Sequence, residues 1–124
     1  MSHDFKKLEV FQMADQLVIE IYRMTQSFPR EERYGLQAQL RRASVSVPCN
    51  IVEGSARASN KEYAQFLRIA CGSASEARYL LTVAGRLAYL RPNVASQVEQ
   101  RFDRVVQGLE VLAQRVTHSV GDEN

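Results

Sequence analysis

Two stretches of this 124-residue chain repeat the same apolar spacing, and that repeat narrows the possible folds more than any other feature. Val10, Ala14, Leu17, Ile21, Met24 and Phe28 follow one another at intervals of four, three, four, three and four, and so do Val98, Phe102, Val105, Leu109, Leu112 and Val116. This spacing keeps one helical face apolar over several turns, which a strand's two-residue alternation cannot do. Between these segments lie two further helical patterns. One carries Leu36, Leu40, Ala43, Val47, Asn50 or Ile51, and Gly54; the other carries Tyr63, Leu67, Ala70, Ala74, Ala77, Leu81, Ala84 and Ala88. The expectation is an all-α chain, an antiparallel up-down-up-down four-helix bundle with short connections.

The boundaries follow from local chemistry. Pro29 disfavours helical geometry at the residue before it, so the first helix should end near Ser27 to Phe28, and Arg30-Glu31-Glu32-Arg33 makes a polar connection. Pro48 lies inside the second pattern, where it lacks a backbone donor and crowds the carbonyl four residues back; a kinked second helix is expected near Ala43 to Val47. Ser59-Asn60-Lys61-Glu62 has capping-box spacing and should start the third helix. Pro92 suits the first position of the fourth. One domain over residues 1–124 is expected, with a core from about 8 to 116 and a flexible tail at 117–124. A second apolar stripe on helix three, Phe66, Ile69, Leu80, Val83, Leu87 and Leu90, is wider than one bundle core needs and points to self-association.

Composition excludes several functions. No run of eighteen apolar residues is present, and the N-terminal Met-Ser-His-Asp-Phe-Lys-Lys lacks a signal peptide's apolar centre, so a cytoplasmic protein with no membrane partner is expected. Cys49 and Cys71 have no nearby Cys or His to complete a zinc site and read as small reduced core residues, with one interhelical disulfide left open. The histidines, His3 and His118, stand near the ends and make poor general bases. No Glu-x-x-His pair is available for a bundle metal site, and Gly72, Gly85 and Gly108 stand singly and suggest close helix packing rather than a phosphate loop. No catalytic residue, metal or cofactor is expected.

The net charge is +2, but it is unevenly placed. From Arg33 to Arg91 there are nine basic and three acidic residues, and thirteen of the chain's sixteen basic residues are arginine, whose planar fork suits phosphate. Lys61, Arg68, Ser75, Tyr79 and Arg86 fall within roughly 40° of one another on a helix and form a basic ridge with an aromatic in it. Arg41, Arg42 and Arg57 extend it, which makes these residues the candidate nucleic-acid contacts. An ordinary solvated helix face reads much the same. Asn50, Glu53 and Glu76 lie on or beside buried stripes, and the expectation is a structural polar network in which Arg41 or Arg42, from this chain or another copy, satisfies the carboxylates.

The set Phe28-Pro29, Glu32, Tyr34-Gly35-Leu36, Gln39-Leu40-Arg41-Arg42-Ala43, Ser46-Val47-Pro48, Asn50-Ile51, Glu53-Gly54, Arg57, Phe66-Leu67, Ile69-Ala70 and Gly72-Ser73, with Glu76, resembles the bacterial four helix bundle protein family first named for reading frames in intervening sequences of large-subunit rRNA genes. The resemblance spans about Phe5 to Val116; Phe11 stands where relatives commonly have Trp. It implies a homopentameric barrel of four-helix bundles and kinship with the accessory proteins of diversity-generating retroelements, pentamers that bind nucleic acid and a reverse transcriptase. The resulting expectation is a non-enzymatic homo-oligomer that binds RNA or DNA weakly through helices two and three. The alternative is a protein-interaction scaffold that binds no nucleic acid.

Overall fold

In the computed structural model, which describes residues 4–122 (side chains through 118), four α-helices carry the chain: α1 Glu9–Thr25, α2 Leu36–Ser55, α3 Asn60–Arg86 and α4 Pro92–Asp122. There is no strand among the described residues. Short 3-10 turns precede α1 at Phe5–Lys7 and link α1 to α2 at Arg30–Glu32. The tail expected to begin at Thr117 is helical as far as Asp122, with residues 123–124 outside the described part.

The expected seams form the core, with one systematic shift. In α1 the buried positions are Val10, Ala14, Leu17, Ile21 and Thr25, so the last step passes from Met24 to Thr25. In α4, Val98, Phe102, Val105 and Leu109 are buried, then Ala113 replaces Leu112. A straight helix of 3.6 residues per turn drifts about 20° per heptad from a 3.5-residue seam, and after two heptads the neighbouring residue has rotated inward. Thr25 is a polar residue in this position, and its hydroxyl donates to the Ile21 carbonyl at 2.7 Å, so no polar atom is stranded.

α3 sits between α2 and α4. Its stripe from Tyr63 to Ala84 is buried throughout, and its alanines let neighbouring backbones come close. Gly54 of α2 is needed at this approach: a Cβ there would stand 2.7 Å from Phe66 Cβ and 3.0 Å from the Tyr63 ring. Gly108 meets Val10 of α1 in the same way, whereas a Cβ on Gly72 would meet nothing within 4 Å; that glycine does not mark close packing. Between α3 and α4 the paired residues run in opposite order along the chain. Arg68 bonds Thr117 at 3.1 Å, Arg78 pairs with Asp103 at 2.8 Å, and Thr82 bonds Glu99.

α2 runs through Pro48 as one continuous 20-residue helix to Ser55. Two further expectations are corrected. α1 ends at Thr25, before the expected Ser27, and Phe28 reaches the core from the connection, its ring 5.5 Å from that of Tyr89. α3 ends at Arg86 because Ala88 takes a left-handed conformation, φ 62°, and Tyr89 N–H and Ala88 N–H close the helix on the Ala84 and Gly85 carbonyls. Leu87 and Ala88 therefore leave the stripes to which their spacing assigned them, and Leu87 is exposed.

Candidate nucleic-acid interface

A broad concave surface lies where the end of α1, the α1–α2 connection and the first half of α2 meet. It is an open groove of about 1100 Å³ lined by Tyr22 of α1, by Gln26, Arg30, Arg33 and Tyr34 of the connection, and by Arg41, Arg42 and Val45 of α2, among others. Four arginines and no acidic residue line it. Sequence reading named Arg41 and Arg42 but missed Arg30 and Arg33, because their neighbours Glu31 and Glu32 made the connection look charge-balanced.

The balance is undone by where Glu32 points. Its Oε1 accepts the Leu36 N–H at 3.0 Å, capping the start of α2, and its Oε2 accepts the Tyr89 hydroxyl at 2.9 Å. Both oxygens are thus engaged away from the arginines. The hydrogen bond to Glu32 raises the Tyr89 pKa above its ordinary 10.0, with burial and the Glu32 and Glu31 charges adding to it. Gly35 belongs to this arrangement, since a Cβ on it would stand 2.7 Å from Glu32 Oε1.

The four arginines are not equivalent. Arg41 is half-buried and structural: its Nε donates to Thr25 Oγ1 at 2.9 Å, an Nη donates to the Tyr22 carbonyl at 3.2 Å, and its guanidinium lies 4.5 Å from the Tyr22 ring centroid. A cation here satisfies a last-turn carbonyl of α1 and suits the negative end of that helix. Arg30 and Arg42 are exposed, their side chains with no hydrogen bond or ion pair among the described residues, and the Arg33 side chain only approaches the Tyr34 ring, at 5.6 Å. Three exposed guanidinia therefore surround a gap that holds no carboxylate, and they can each present a planar fork to a phosphate.

A sequence model of the family described as 23S rRNA-intervening sequence protein matches residues 6–110. The chain belongs to that family. Among solved structures, a crystal structure from Bacteroides thetaiotaomicron, described as a protein of unknown function from the S23 ribosomal protein family, superposes with a TM-score of 0.75. It shares 19% sequence identity, over 84% of this chain and 97% of that one, a likeness that concerns the fold alone. A comparison with curated proteins gave no match.

In this chain the remaining expected site residues are dispersed. Lys61, Arg68, Tyr79 and Arg86 are all exposed along α3, but Arg68 is tied to Thr117 of α4. Arg57 lies past the end of α2, paired with Glu53 at 2.8 Å and set 4.6 Å from the Phe66 ring centroid, so it does not extend that ridge; nor does Arg41, which faces α1.

Within the chain, the expected Asn50–Glu53–Glu76 network does not assemble. Asn50 instead donates to the Ser46 carbonyl at 2.8 Å and to its Oγ at 3.0 Å, and Ser46 Oγ meets Ser73 Oγ at 2.8 Å. Glu53 and Glu76 are exposed and neither is reached by Arg41 or Arg42 of this chain; Glu53 pairs instead with Arg57, and Glu76 faces solvent. Both cysteines are free; Cys49 is exposed rather than a core residue, whereas Cys71 is half-buried and packs against the core, its thiol pKa raised by burial and by the Glu110 charge. His118 is exposed and His3 lies outside the described residues. Among the described residues no cluster of ligating side chains could hold a metal ion, and no helix is long and apolar enough to cross a membrane.

Proposed function

We propose that this chain is a non-enzymatic, homo-oligomeric nucleic-acid-binding protein that contacts phosphates through Arg30, Arg33 and Arg42. The observation that carries this reading is the groove itself, lined by four arginines and no acidic side chain in a chain whose net charge is only +2. A local positive field of this kind attracts a polyanion even when the whole molecule is nearly neutral. The lining offers arginine, tyrosine and glutamine but no histidine or carboxylate, so no group there suits general acid–base work near neutrality.

The assembly is read as antiparallel bundles joined in a homopentamer, as the family resemblance implies. Support comes from the outward face of α2 and its C-terminal cap, where Cys49, Val52 and the cap residue Ala56 are exposed in a row at helical spacing, outside the groove lining. This differs from the helix-three surplus suggested by sequence. That row also favours the second reading, a scaffold whose partner is a protein.

Anisotropy of labelled RNA and DNA across rising salt separates the two. Binding with a log–log slope of several units, lost in Arg30→Glu/Arg42→Glu at unchanged assembly mass, is the expected result. Absence of binding at low salt would leave the scaffold. Arg41 is unsuited to this test because its loss would loosen α1 from α2.

A further inference from the structure

The groove's aromatic content suggests what form of nucleic acid it takes. Tyr34 stands at its wall with 88% of its surface exposed, more than any other large apolar side chain among the described residues. Its ring meets the Arg33 guanidinium at 5.6 Å and, among the described residues, no other aromatic. The second tyrosine, Tyr22, already has Arg41 over its ring at 4.5 Å. The groove therefore offers one exposed aromatic platform whose ring contact is the exposed Arg33 and not a structural arginine such as Arg41, directly beside the exposed Arg30 and Arg42.

We infer that the groove binds single-stranded nucleic acid, with a base stacked on Tyr34 and the flanking phosphates held by Arg30, Arg33 and Arg42. This rests on the nucleic-acid reading above and narrows it. The argument is one of shape and available faces. Reading a duplex through its major groove needs a convex element that enters it, and paired bases have no free face to stack. Here the surface is concave, which suits a flexible strand lying along it, and a base released from a strand has a face to offer.

The backbone that carries the platform is also held in place before any ligand arrives. Tyr34 lies between Glu32, anchored at both carboxylate oxygens, and Leu36, whose N–H is one of those anchors. A segment fixed at both ends loses little further freedom on binding.

The test uses the full-length oligomer and compares a labelled ten-nucleotide oligo-U and oligo-dT with a duplex of equal length at the same salt. Single strands should bind more tightly than the duplex. Tyr34→Ala should weaken single-strand binding by about 5- to 100-fold without changing the salt slope, Tyr34→Phe should restore it, and duplex binding should stay as it was. Arg30→Glu/Arg42→Glu should weaken every probe and lower the slope by about 2. Equal affinity for duplex and single strand, or a Tyr34→Ala variant indistinguishable from the parent, would overturn the stacking inference while the arginine result keeps the phosphate site. Failure of every probe to bind at low salt would remove both. Tyr34 is exposed, so its variants test recognition rather than folding.

Discussion

Ala88 sits in a backbone region that costs an L-residue with a side chain roughly 1–2 kcal/mol and costs glycine nothing comparable. It is kept there by two hydrogen bonds that close α3, so the helix end is secured by geometry rather than by residue preference. Replacing it with glycine removes the steric cost but adds freedom to the unfolded chain, worth about 0.4–1 kcal/mol in the other direction. The Ala88→Gly variant is therefore expected to be more stable by about 0.5–1 kcal/mol, read as a higher urea midpoint at constant slope. The same residue shows a limit of the sequence. A glycine would have announced the helix end, whereas an alanine four positions after Ala84 reads as one more step of the stripe. Thr25 and Met24 make the opposite case: the sequence held the information, but a 3.5-residue template selected the apolar neighbour over the one that helix geometry turns inward.

At the level of elements, α1 to α4 were legible because each carries a long amphipathic pattern, and Ser59 accepts the Glu62 N–H at 3.2 Å as the capping spacing implies. The candidate site was less legible because it is made by a connection, whose side chains are aimed by contacts distant in sequence. Tyr89 to Glu32 is the clearest of these and has a pH signature. The folded chain holds the phenol proton more tightly than the unfolded one, so this contribution to stability is complete below about pH 10 and fades as pH rises through the raised pKa. Tyr63, whose pKa is raised by burial, acts in the same direction. Stability measured by denaturant should fall above pH 10. Tyr89→Phe should be less stable at pH 7 but decline less steeply at alkaline pH, the remaining slope belonging to Tyr63 and to the Cys71 thiol, whose pKa is also raised. An alkaline profile unchanged by Tyr89→Phe would show that the hydroxyl does not link the two connections.

For the molecule as a whole, the proposed assembly and the proposed groove use different parts of one helix. The first half of α2 lines the groove, and the exposed Cys49, Val52 and Ala56 lie beyond it. A charge placed in that row should separate copies without disturbing a monomer's core. Val52→Glu is expected to lower the mass found by light scattering while far-ultraviolet dichroism stays helical. A mass equal to the parent's would place the contact elsewhere, with the exposed Ile69 of α3 as the next position to test.

The bond between Glu32 and Tyr89 also imposes an order of events on the chain. It spans 57 positions, and closing a loop costs more entropy as the loop lengthens, while single helices form on the sub-microsecond scale. α1, α2 and the turn between them can thus take local shape well before α3 has run its length and brought Tyr89 back. Until then one oxygen of Glu32 has no phenol to hold it, and it remains free to turn toward the guanidinia nearby. The arginines are present as soon as they are synthesised, but a site free of competing carboxylate exists only after the chain has closed on itself. The surface proposed to attract a polyanion is thus complete only when Tyr89 has docked on Glu32.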